Sequence, residues 1–532
     1  MREVINLNAL IVGVLVSFCG VLIDAQPLGS TNNSQLKRDH KDLSIVPVNI
    51  GSQLELFIDD FIIEDLKNGA KVKLHHPVPR EIVMVHDEPW EGSGSGYHSV
   101  FKDGDLYRMY YKSWQHRNSS DLSNFHPLYC AYAESKDGVN WNKPNLSLYE
   151  FNGSKNNNIV FESGNIDGFK LDAGHPAVFK DENPNVSNES LYKAVLVGSK
   201  PNLGLVAYHS PDGINWEAMS DEQIITDGVF DSQNLAFWDP VGKVYRAYWR
   251  YFDGGDGVNP YVGNRAIRTA TSKDFINWSN YADLEYVDSP DEELYTNQIK
   301  PYYRAPHILI GFPARYIDRG WSESMRVLPE LDERAGRSEK SERYGTVLTE
   351  TLLMSSRDGE TFDRWNEAFI RPGIERKGTW TYGDAYSAWH VVETPSSIPG
   401  APNELSMYVT ENYWKGTASS LRRYTLRIDG FVSIYAPMNG GEVVTKPLVF
   451  KGDNLNINFS SSAAGEILVE LLDEKGQPIP GFGLSECDPV FGDAIERTVS
   501  WKGRINVSAI AGKPVKLRFV LKDADLYSFQ FK

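Results

Sequence analysis

The chain has 532 residues, of which 41% are hydrophobic and 23% are charged, and its formal net charge is -17 at pH 7. The length favours one large and one small domain, and the composition is typical of a folded soluble protein. The negative charge excludes a nucleic-acid-binding protein, because phosphate recognition needs a concentrated basic surface.

Residues 1–25 have the pattern of an export signal. Arg2 precedes the apolar run Ala9–Ile23, and the small residue Ala25 stands before a plausible cleavage point. The apolar run is shorter than the roughly 20 residues that a membrane span requires. We therefore expect a secreted protein, extracellular or periplasmic, without a membrane span. Residues 26–44 are polar and lack periodicity, which predicts a flexible tether.

Residues 45–436 contain short runs rich in Tyr, Val, Phe, Trp and Ile between clusters of Gly, Asp, Asn and Pro, which predicts an all-β fold. Five runs predict a strand that enters a hairpin, and they begin at Tyr97, His175, Asn234, Ile299 and Ala388. Five such units predict a five-bladed β-propeller. The charged stretch 322–343 has helix-like content and is expected as an exposed insertion. Alternating strands in residues 437–532 predict a small β-sandwich that follows the propeller.

A turn motif recurs four times in the propeller region. Its copies are SKDGVNW, SPDGINW, SKDFINW and SRDGETFDRW, which begin at Ser135, Ser210, Ser272 and Ser356. Asp-Gly favours a tight turn, and the Trp that follows can pack between neighbouring blades. The spacing suits four-stranded blades with loops of variable length, so we interpret the motif as structural.

The hairpins resemble glycoside hydrolase families 32, 43 and 68, which are five-bladed propellers often followed by a C-terminal β-sandwich. The resemblance covers roughly residues 50–532. It implies three acids on inner strands around a central cavity, and glycoside hydrolysis needs a protonated and an ionised carboxylate. The chain departs from the family's acids: Tyr97 and His98 stand where the family has Asp-Pro, and His175 takes the place of an acid in the next blade. Arg304 keeps the family's Arg, but Ala305 follows it in place of the Asp.

Polar residues at the mouths of the inner strands form the candidate site. Asp231 is the leading carboxylate, although a turn residue that caps its strand would look the same, and Glu411 lies at a later strand end. Arg304 can hold a carboxylate or sulfate, and Trp414 can stack on a sugar ring. The expected substrate-binding residues are Tyr97, Gln233, Asn234, Asn297, Arg304, Tyr382, Asp384 and Trp414.

His98 and His175 fall at equivalent places in two successive blades, beside Tyr97. Histidine titrates near neutral pH and suits proton transfer. Histidine with tyrosine also suits β-elimination, in which a base removes the proton α to a uronate carboxylate and an arginine neutralises that carboxylate.

These residues predict a secreted enzyme that cleaves glycosidic linkages in poly- or oligosaccharides, with Asp231 and Glu411 as acid and base or nucleophile, and His98 and His175 shaping the reactive subsite. One alternative is a lyase or dehydratase that acts by β-elimination on uronic-acid-containing oligosaccharides. Another is a glycan-binding propeller without catalytic activity.

We expect no cofactor and no catalytic metal, and the sequence leaves a structural calcium ion open. Beyond the export signal the chain has two cysteines, Cys130 and Cys487. Two cysteines exclude a disulfide scaffold and a structural zinc cluster, and whether they pair stays open at this point.

Overall fold

Short strands separated by turns dominate the computed structural model, which describes residues 46–116, 126–256 and 259–532. The expected export signal (1–25) and tether (26–44) lie outside these described residues. Residues Val46–Lys532 form one compact unit. In the described part of the chain, no helix is both long and apolar enough to cross a membrane.

Five strands precede the first blade: β1 (Val48–Gly51), β2 (Glu55–Leu56), β3 (Ile63–Lys67), β4 (Lys71–Leu74) and β5 (Val78–Val85). Blade 1 contains β6 (Gly96–Asp103), β7 (Leu106–Ser113), β8 (Tyr129–Ser135), β9 (Trp141–Asn142) and β10 (Ile159–Glu162). Blade 2 contains β11 (Gly164–Ile166), β12 (Phe169–Lys180), β13 (Tyr192–Ser199), β14 (Leu203–Ser210) and β15 (Glu217–Ala218), with a short 3-10 helix at Asn188–Ser190.

Blade 3 contains β16 (Leu235–Asp239), β17 (Val244–Phe252), β18 (Arg265–Ser272) and β19 (Trp278–Asp283). Blade 4 contains β20 (Glu285–Val287), β21 (Lys300–Tyr302), β22 (Ala305–Gly311), β25 (Met354–Ser356) and β26 (Thr361–Arg364). Between β22 and β25 lie a separate hairpin and three short helices: β23 (Ala314–Asp318), α1 (Glu323–Val327), α2 (Leu331–Ser338), α3 (Arg343–Thr346) and β24 (Val347–Thr351).

Blade 5 combines strands from opposite ends of the propeller region. It contains β27 (Val392–Thr394), β28 (Glu404–Glu411) and β29 (Ser420–Leu426), and its outer strand is β5, which pairs antiparallel with β29. Because β5 comes before blade 1 in the chain, this pairing closes the ring of blades. The five predicted hairpins are confirmed, and each begins in or just before an inner strand of a different blade.

The four predicted turns share one hydrogen-bond pattern. In the first copy the Asp137 carboxylate accepts from the amides of Val139 and Asn140, both at 2.8 Å, and the Ser135 hydroxyl accepts from the Gly138 amide at 2.9 Å. Gly138 has a φ of 73°, a conformation that glycine adopts without a side-chain clash. The equivalent aspartates are Asp212, Asp274 and Asp358.

Tyrosine hydroxyls fasten these turns to adjacent blades. Tyr110 of blade 1 donates to the Gly213 carbonyl of blade 2 at 2.8 Å, and Tyr408 of blade 5 donates to the Gly138 carbonyl of blade 1 at 2.6 Å. Trp216, in the second turn, lies 5.3 Å from the ring of Phe161 in blade 1. The predicted role of the motif in blade packing is therefore seen in its contacts.

Two buried glutamines cross the propeller axis. Gln233 donates to the carbonyls of Tyr97 at 3.0 Å and Pro176 at 2.9 Å. Gln298 donates to the Gln233 side chain at 2.8 Å and to the Ser387 carbonyl at 2.9 Å. This glutamine pair thus joins the inner segments of all five blades.

The C-terminal β-domain contains β30 (Val432–Ala436), β31 (Gly441–Thr445), β32 (Leu448–Phe450), β33 (Leu455–Leu472), β34 (Asp493–Thr498) and β35 (Lys516–Phe531), with a 3-10 helix at Ser508–Ile510. The long strands β33 and β35 pair over most of their length, with an irregularity between Ser461 and Glu466. A large apolar cluster drawn from these strands forms its core.

The domain boundary predicted at residue 437 needs correction. Strands β1–β4, at residues 48–74, pair with strands of the C-terminal domain rather than with a blade. The buried Asp429 adds a polar link, since it accepts from Tyr302 at 2.7 Å and Arg304 at 3.0 Å of blade 4 and from Ser528 of β35 at 3.0 Å. Pairing between segments so distant in the chain leaves no local sequence pattern.

Candidate active site

Six tyrosines gather at the end of the propeller axis where the inner strands begin. We call them the tyrosine cluster; they are Tyr97, Tyr295, Tyr316, Tyr382, Tyr386 and Tyr413. All six are buried, with exposed fractions of 8% or less. This end of the axis therefore gathers several phenol groups in a buried environment.

Tyr295 is the centre of this cluster. Its hydroxyl oxygen lies 3.4 Å from that of Tyr97 and 3.5 Å from that of Tyr382, and both phenols donate to it. The Arg250 guanidinium carbon lies 4.8 Å from the centre of the Tyr295 ring. Burial by itself would raise the pKa of Tyr295, but the charge of Arg250 and the hydrogen bonds outweigh it and lower this pKa to about 8.

The neighbouring phenols keep their protons. Burial, followed by the charge of Tyr295, raises the pKa of Tyr97 and of Tyr382 well above the usual value for tyrosine. The site therefore contains one acidic phenol surrounded by phenols that remain proton donors.

Two buried arginines bring positive charge to Tyr295. Arg250 forms an ion pair with Asp231, and its Nε and Nη1 have no protein partner among the described residues. Arg265 forms an ion pair with Glu293 and lies 4.1 Å from the centre of the Tyr316 ring. Buried N–H groups without an acceptor are costly, so these guanidinium groups favour an anionic ligand beside Tyr295.

Lys112 and His175 form the side of the site contributed by blades 1 and 2. The Lys112 ammonium donates to the Tyr413 hydroxyl at 2.8 Å and lies 4.6 Å from the centre of the Tyr97 ring. Burial lowers the pKa of Lys112 to about 7, and Asp172 opposes this effect. The His175 ring lies 5.4 Å from Tyr97, and its Nδ1 lies 3.0 Å from the Asp172 carboxylate.

The helical insertion covers the cluster from the other side, where an exposed insertion was predicted. Arg337 of α2 is 2% exposed and donates to the Trp414 carbonyl at 2.8 Å. Tyr344 of α3 contacts Tyr382, with 5.7 Å between ring centres. Trp414 itself stacks on His116 at 4.0 Å and lies 4.6 Å from Tyr382. The insertion is anchored because its arginine reaches carbonyls of the loop after β28.

The structure brings together several of the sequence-predicted residues: Tyr97, His175, Asp231, Tyr382 and Trp414. Asp384 lies close by, and its carboxylate accepts from the Thr381 amide at 3.1 Å and hydroxyl at 3.0 Å. Burial raises the pKa of Asp384 to about 7, against the hydrogen bonds from Thr381.

His98 does not share a cavity with His175, contrary to the prediction. Its Nε2 lies 3.0 Å from that of His86, and its ring stacks on Tyr111 inside blade 1. Burial lowers the pKa of His98 to about 3, so it does not titrate near neutral pH. The cause is an irregularity in β6 between Gly96 and Ser99, where Tyr97 has a φ of 51°. Such a bulge re-aims side chains, so Tyr97 and not His98 takes the place beside His175.

Glu411, predicted as a catalytic carboxylate, lies in a network of ion pairs with two arginines. Its carboxylate accepts from Arg422 at 2.7 Å and 3.1 Å and from Arg376 at 2.5 Å. Two guanidinium groups occupy both oxygens of this carboxylate, which is typical of a structural ion-pair network.

Four predicted substrate-binding residues serve the fold. Gln233 belongs to the glutamine pair, and Asn234 donates to the carbonyls of Phe230 and Ser232. The Asn297 amide reaches the Tyr248 carbonyl at 3.4 Å. Arg304 is bound to Asp429 at the link to the C-terminal domain.

The sequence analysis missed Tyr295, Arg250 and Lys112. Tyr295 stands two residues before Asn297, which was predicted to bind substrate, so the sequence already placed Tyr295 near the start of an inner strand. Arg250 and Lys112 stand at the ends of second strands, where alternation alone does not distinguish an inward cation from a solvated one.

The structure also bears on metals and cysteines. Among residues 46–116, 126–256 and 259–532, no three or more His, Cys, Asp or Glu side chains gather as metal ligands would. Cys130 and Cys487 are both free and buried.

No described protein family matches this chain, and no curated protein matches it. Among solved structures, it is similar to an N-acetylgalactosamine deacetylase from F. plautii in complex with blood group B trisaccharide, at 10% identity over 67% of this chain and 96% of that one, with a TM-score of 0.41. It is also similar to a glycoside hydrolase, at 14% identity over 65% of this chain and 92% of that one, with a TM-score of 0.40. The endo-arabinase from Bacteroides thetaiotaomicron is 10% identical over 66% of this chain and 96% of that one, with a TM-score of 0.33. These scores are low, so the assignment of the fold rests on the strand pairing described above.

Proposed function

We propose that this protein is an exported carbohydrate-active enzyme that cleaves uronic-acid-containing oligosaccharides by β-elimination. The observation that carries this proposal is the environment of Tyr295, whose hydroxyl receives two phenol hydrogen bonds beside Arg250. The arrangement supplies the three parts that elimination needs, namely a base, an acid and a positive charge for the substrate carboxylate. The proposal of export rests on the pattern of residues 1–25.

In the proposed reaction, the Tyr295 phenolate removes the proton from the sugar carbon α to the carboxylate. The electrons of that C–H bond form a carbon–carbon double bond with the neighbouring carbon, whose bond to the glycosidic oxygen breaks. The departing oxygen takes a proton from Tyr97, which the raised pKa keeps protonated. Tyr295 then returns its proton to Tyr97 through their hydrogen bond, so that no proton is gained or lost by the site.

Arg250 and Arg265 hold the substrate carboxylate in this scheme. Elimination places additional negative charge on that carboxylate as the α-proton leaves, and fixed guanidinium donors stabilise this charge without reorganisation. Their N–H groups without a protein partner are the donors available for it.

Hydrolysis is the second candidate, and Asp384 favours it. A buried carboxyl with a pKa of about 7 is protonated at the start of turnover, as the general acid of a glycoside hydrolase must be. The partner carboxylate would be Asp231, which is bound to Arg250. Glu411 is not available, because two arginines occupy it.

The test is incubation of the purified protein with uronic-acid-containing and neutral oligosaccharides, followed by mass spectrometry of the products. Elimination gives fragments whose summed mass equals that of the substrate, with an ultraviolet absorbance from the new conjugated double bond. Fragments that have gained one water would support hydrolysis through Asp384. Binding of the oligosaccharide without any product would leave a glycan-binding propeller as the function.

A further inference from the structure

A cavity of about 500 Å³ lies outside the tyrosine cluster, beside the glutamine pair. We call it the lower pocket. Its wall includes Phe101, Gln298, Lys300, Tyr302, Tyr303 and His390. None of the residues that line the pocket belongs to the tyrosine cluster, and Gln298 of the glutamine pair forms part of the wall. A volume of this size accommodates a small ligand of one or two sugar rings.

Two nitrogen groups without a protein partner face this pocket. Lys300 has no hydrogen bond or ion pair with another described residue, and His390 is 6% exposed with no partner for its Nε2. His390 also has a φ of 81°, in the left-handed region that side chains other than glycine rarely adopt. A buried histidine nitrogen without a partner is unfavourable, and a strained backbone holds it in this place.

Two other charges of the lower pocket are neutralised within the protein, and a third, the exposed Lys102, lies over the Tyr107 ring at 5.4 Å. Lys180 is bound to Asp103 at 2.6 Å, and Glu393 accepts from Tyr303 at 2.6 Å and from Asn403 at 2.7 Å. Glu182 also lies on the wall and attracts Lys300 without a direct ion pair. The ammonium of Lys300 is thus the group best placed to receive a ligand anion.

The pocket has an acceptor and flat faces as well. Gln298 uses its amide nitrogen in the glutamine pair, and its buried Oε1 has no partner among the described residues. A ligand hydroxyl would satisfy this oxygen. Tyr303 is 49% exposed beside the buried Tyr302, so an aromatic face is open to the ring of a sugar.

We propose that the lower pocket is a binding site for a monosaccharide or disaccharide acid. The ligand carboxylate binds Lys300 and the Nε2 of His390, a ring hydroxyl donates to Gln298, and the sugar ring stacks on Tyr303. A ligand that satisfies these residues needs an anionic group, a hydroxyl group and a flat ring face. A sugar acid carries all three. This assignment does not depend on the reaction at the tyrosine cluster.

Isothermal titration calorimetry with D-glucuronate, and with D-glucose as the neutral control, tests the assignment on the full chain. We expect glucuronate to bind, and glucose to bind at least roughly tenfold more weakly, because it lacks the charge-assisted hydrogen bond. Lys300→Met should weaken glucuronate binding at the lower pocket to a similar extent. Lys136→Met, an exposed lysine at a variable position of a turn motif, is the matched control and should bind as the wild type does.

Tyr295→Phe and Arg250→Gln separate this site from the tyrosine cluster. Binding that survives both of these substitutions and is lost in Lys300→Met supports the lower pocket. Binding that is lost in Arg250→Gln and kept in Lys300→Met would assign the glucuronate to the tyrosine cluster and overturn the inference. Equal binding of glucose and glucuronate, or no binding of glucuronate, would also overturn it, whether or not the protein proves to be a lyase.

Discussion

Tyr295 differs from the other 26 tyrosines of the chain in the sum of its surroundings rather than in its local sequence. Burial by itself raises the pKa of a phenol, as it does for Tyr97 and Tyr382. At Tyr295 the charge of Arg250 and hydrogen bonds reverse the direction. A phenol with a pKa near physiological pH can act as a general base. A useful fraction of it is ionised, and the phenolate is still basic enough to remove a proton.

Replacement of Tyr295 by Phe should abolish most of the activity. Loss of the base should lower kcat on a uronic-acid-containing oligosaccharide on the order of 10²- to 10⁴-fold, with a smaller change in KM because the arginines remain. Steady-state rates from product absorbance measure this effect. Tyr281→Phe, on the exposed surface of blade 3, is the control. A Tyr295→Phe variant with kcat near that of the wild type would remove Tyr295 from the mechanism.

The pH dependence follows from the same phenol. Tyr295 must be ionised to act as a base, so kcat/KM should rise with pH and level off above about 8. Arg250→Gln removes the charge that lowers this pKa, and the rise should therefore move to higher pH. A pH–rate profile of both proteins on one substrate measures the shift. A profile that falls through the same range would instead indicate a required acid such as Asp384, whose pKa is about 7.

The sequence identified part of this site because residues at strand mouths are recognisable from the turn and strand pattern. Tyr97, His175, Tyr382 and Trp414 were found in this way. His98 was misplaced because β6 contains a bulge, and a bulge moves a side chain to another face without a clear sequence signal. The ion pair of Glu411 with Arg376 was not predicted, because Arg376 lies 35 residues away in a loop.

At the scale of elements, the turn motif is the most regular feature, and its four copies were recognised from the sequence. Each aspartate of the motif accepts hydrogen bonds from two backbone amides. In the first three copies it also accepts a hydrogen bond from the side-chain amide of the asparagine three residues later. These hydrogen bonds lower the pKa of Asp137 and of Asp274 to about 2, against the effect of burial. A tight turn fixed in this way sets the register of the hairpin that it joins.

Asp212→Ala should destabilise the protein, because the amides of Ile214 and Asn215 lose their acceptor. We expect a loss of about 1 kcal/mol in the free energy of unfolding, the usual net contribution of a hydrogen bond, because water can reach these exposed amides. Urea denaturation followed by fluorescence measures it. Asp221→Ala, at an exposed aspartate nearby, is the control and should be close to neutral. Equal stabilities of the two variants would show that the motif only accompanies the turn.

Low pH should weaken the same turns. The pKa of Asp137 and Asp274 is depressed in the folded state from the ordinary value of 3.8 to about 2. Their contribution to stability is therefore complete above about pH 4 and is lost as the pH falls through about 2. Urea midpoints of the wild type and of Asp137→Asn should converge over this range. A constant difference between them would contradict this linkage.

At the scale of the whole molecule, the propeller and the C-terminal domain share strands from both ends of the described chain. Strand β5 closes blade 5, and β1–β4 complete the C-terminal domain. The fold class and the number of blades were predicted, since each blade leaves a local hairpin pattern. The assignment of residues 48–74 was not, because pairing across several hundred residues is decided by tertiary packing and not by periodicity.

We expect both parts to unfold in one transition. Asp429 is fully buried between them, and Asp429→Asn weakens its bonds to Arg304 and Tyr302. The free energy of unfolding should fall by about 3 kcal/mol, the lower end of the range for breaking a buried ion pair, because the Arg304 side chain is partly exposed. Differential scanning calorimetry should show one peak that shifts as a whole, and Asp493→Asn, at an exposed ion pair, is the control. Two peaks, of which one shifts, would show independent domains.

The central claim is that one buried phenol of this propeller is acidic, and ultraviolet difference titration of tyrosinate tests it without any substrate. The account predicts that one tyrosine ionises near pH 8 in the wild type and that this step is absent from Tyr295→Phe. A wild type in which every phenol ionises at pH 10 or above, the ordinary range for tyrosine, would contradict the claim. So would an early ionisation that persists in Tyr295→Phe.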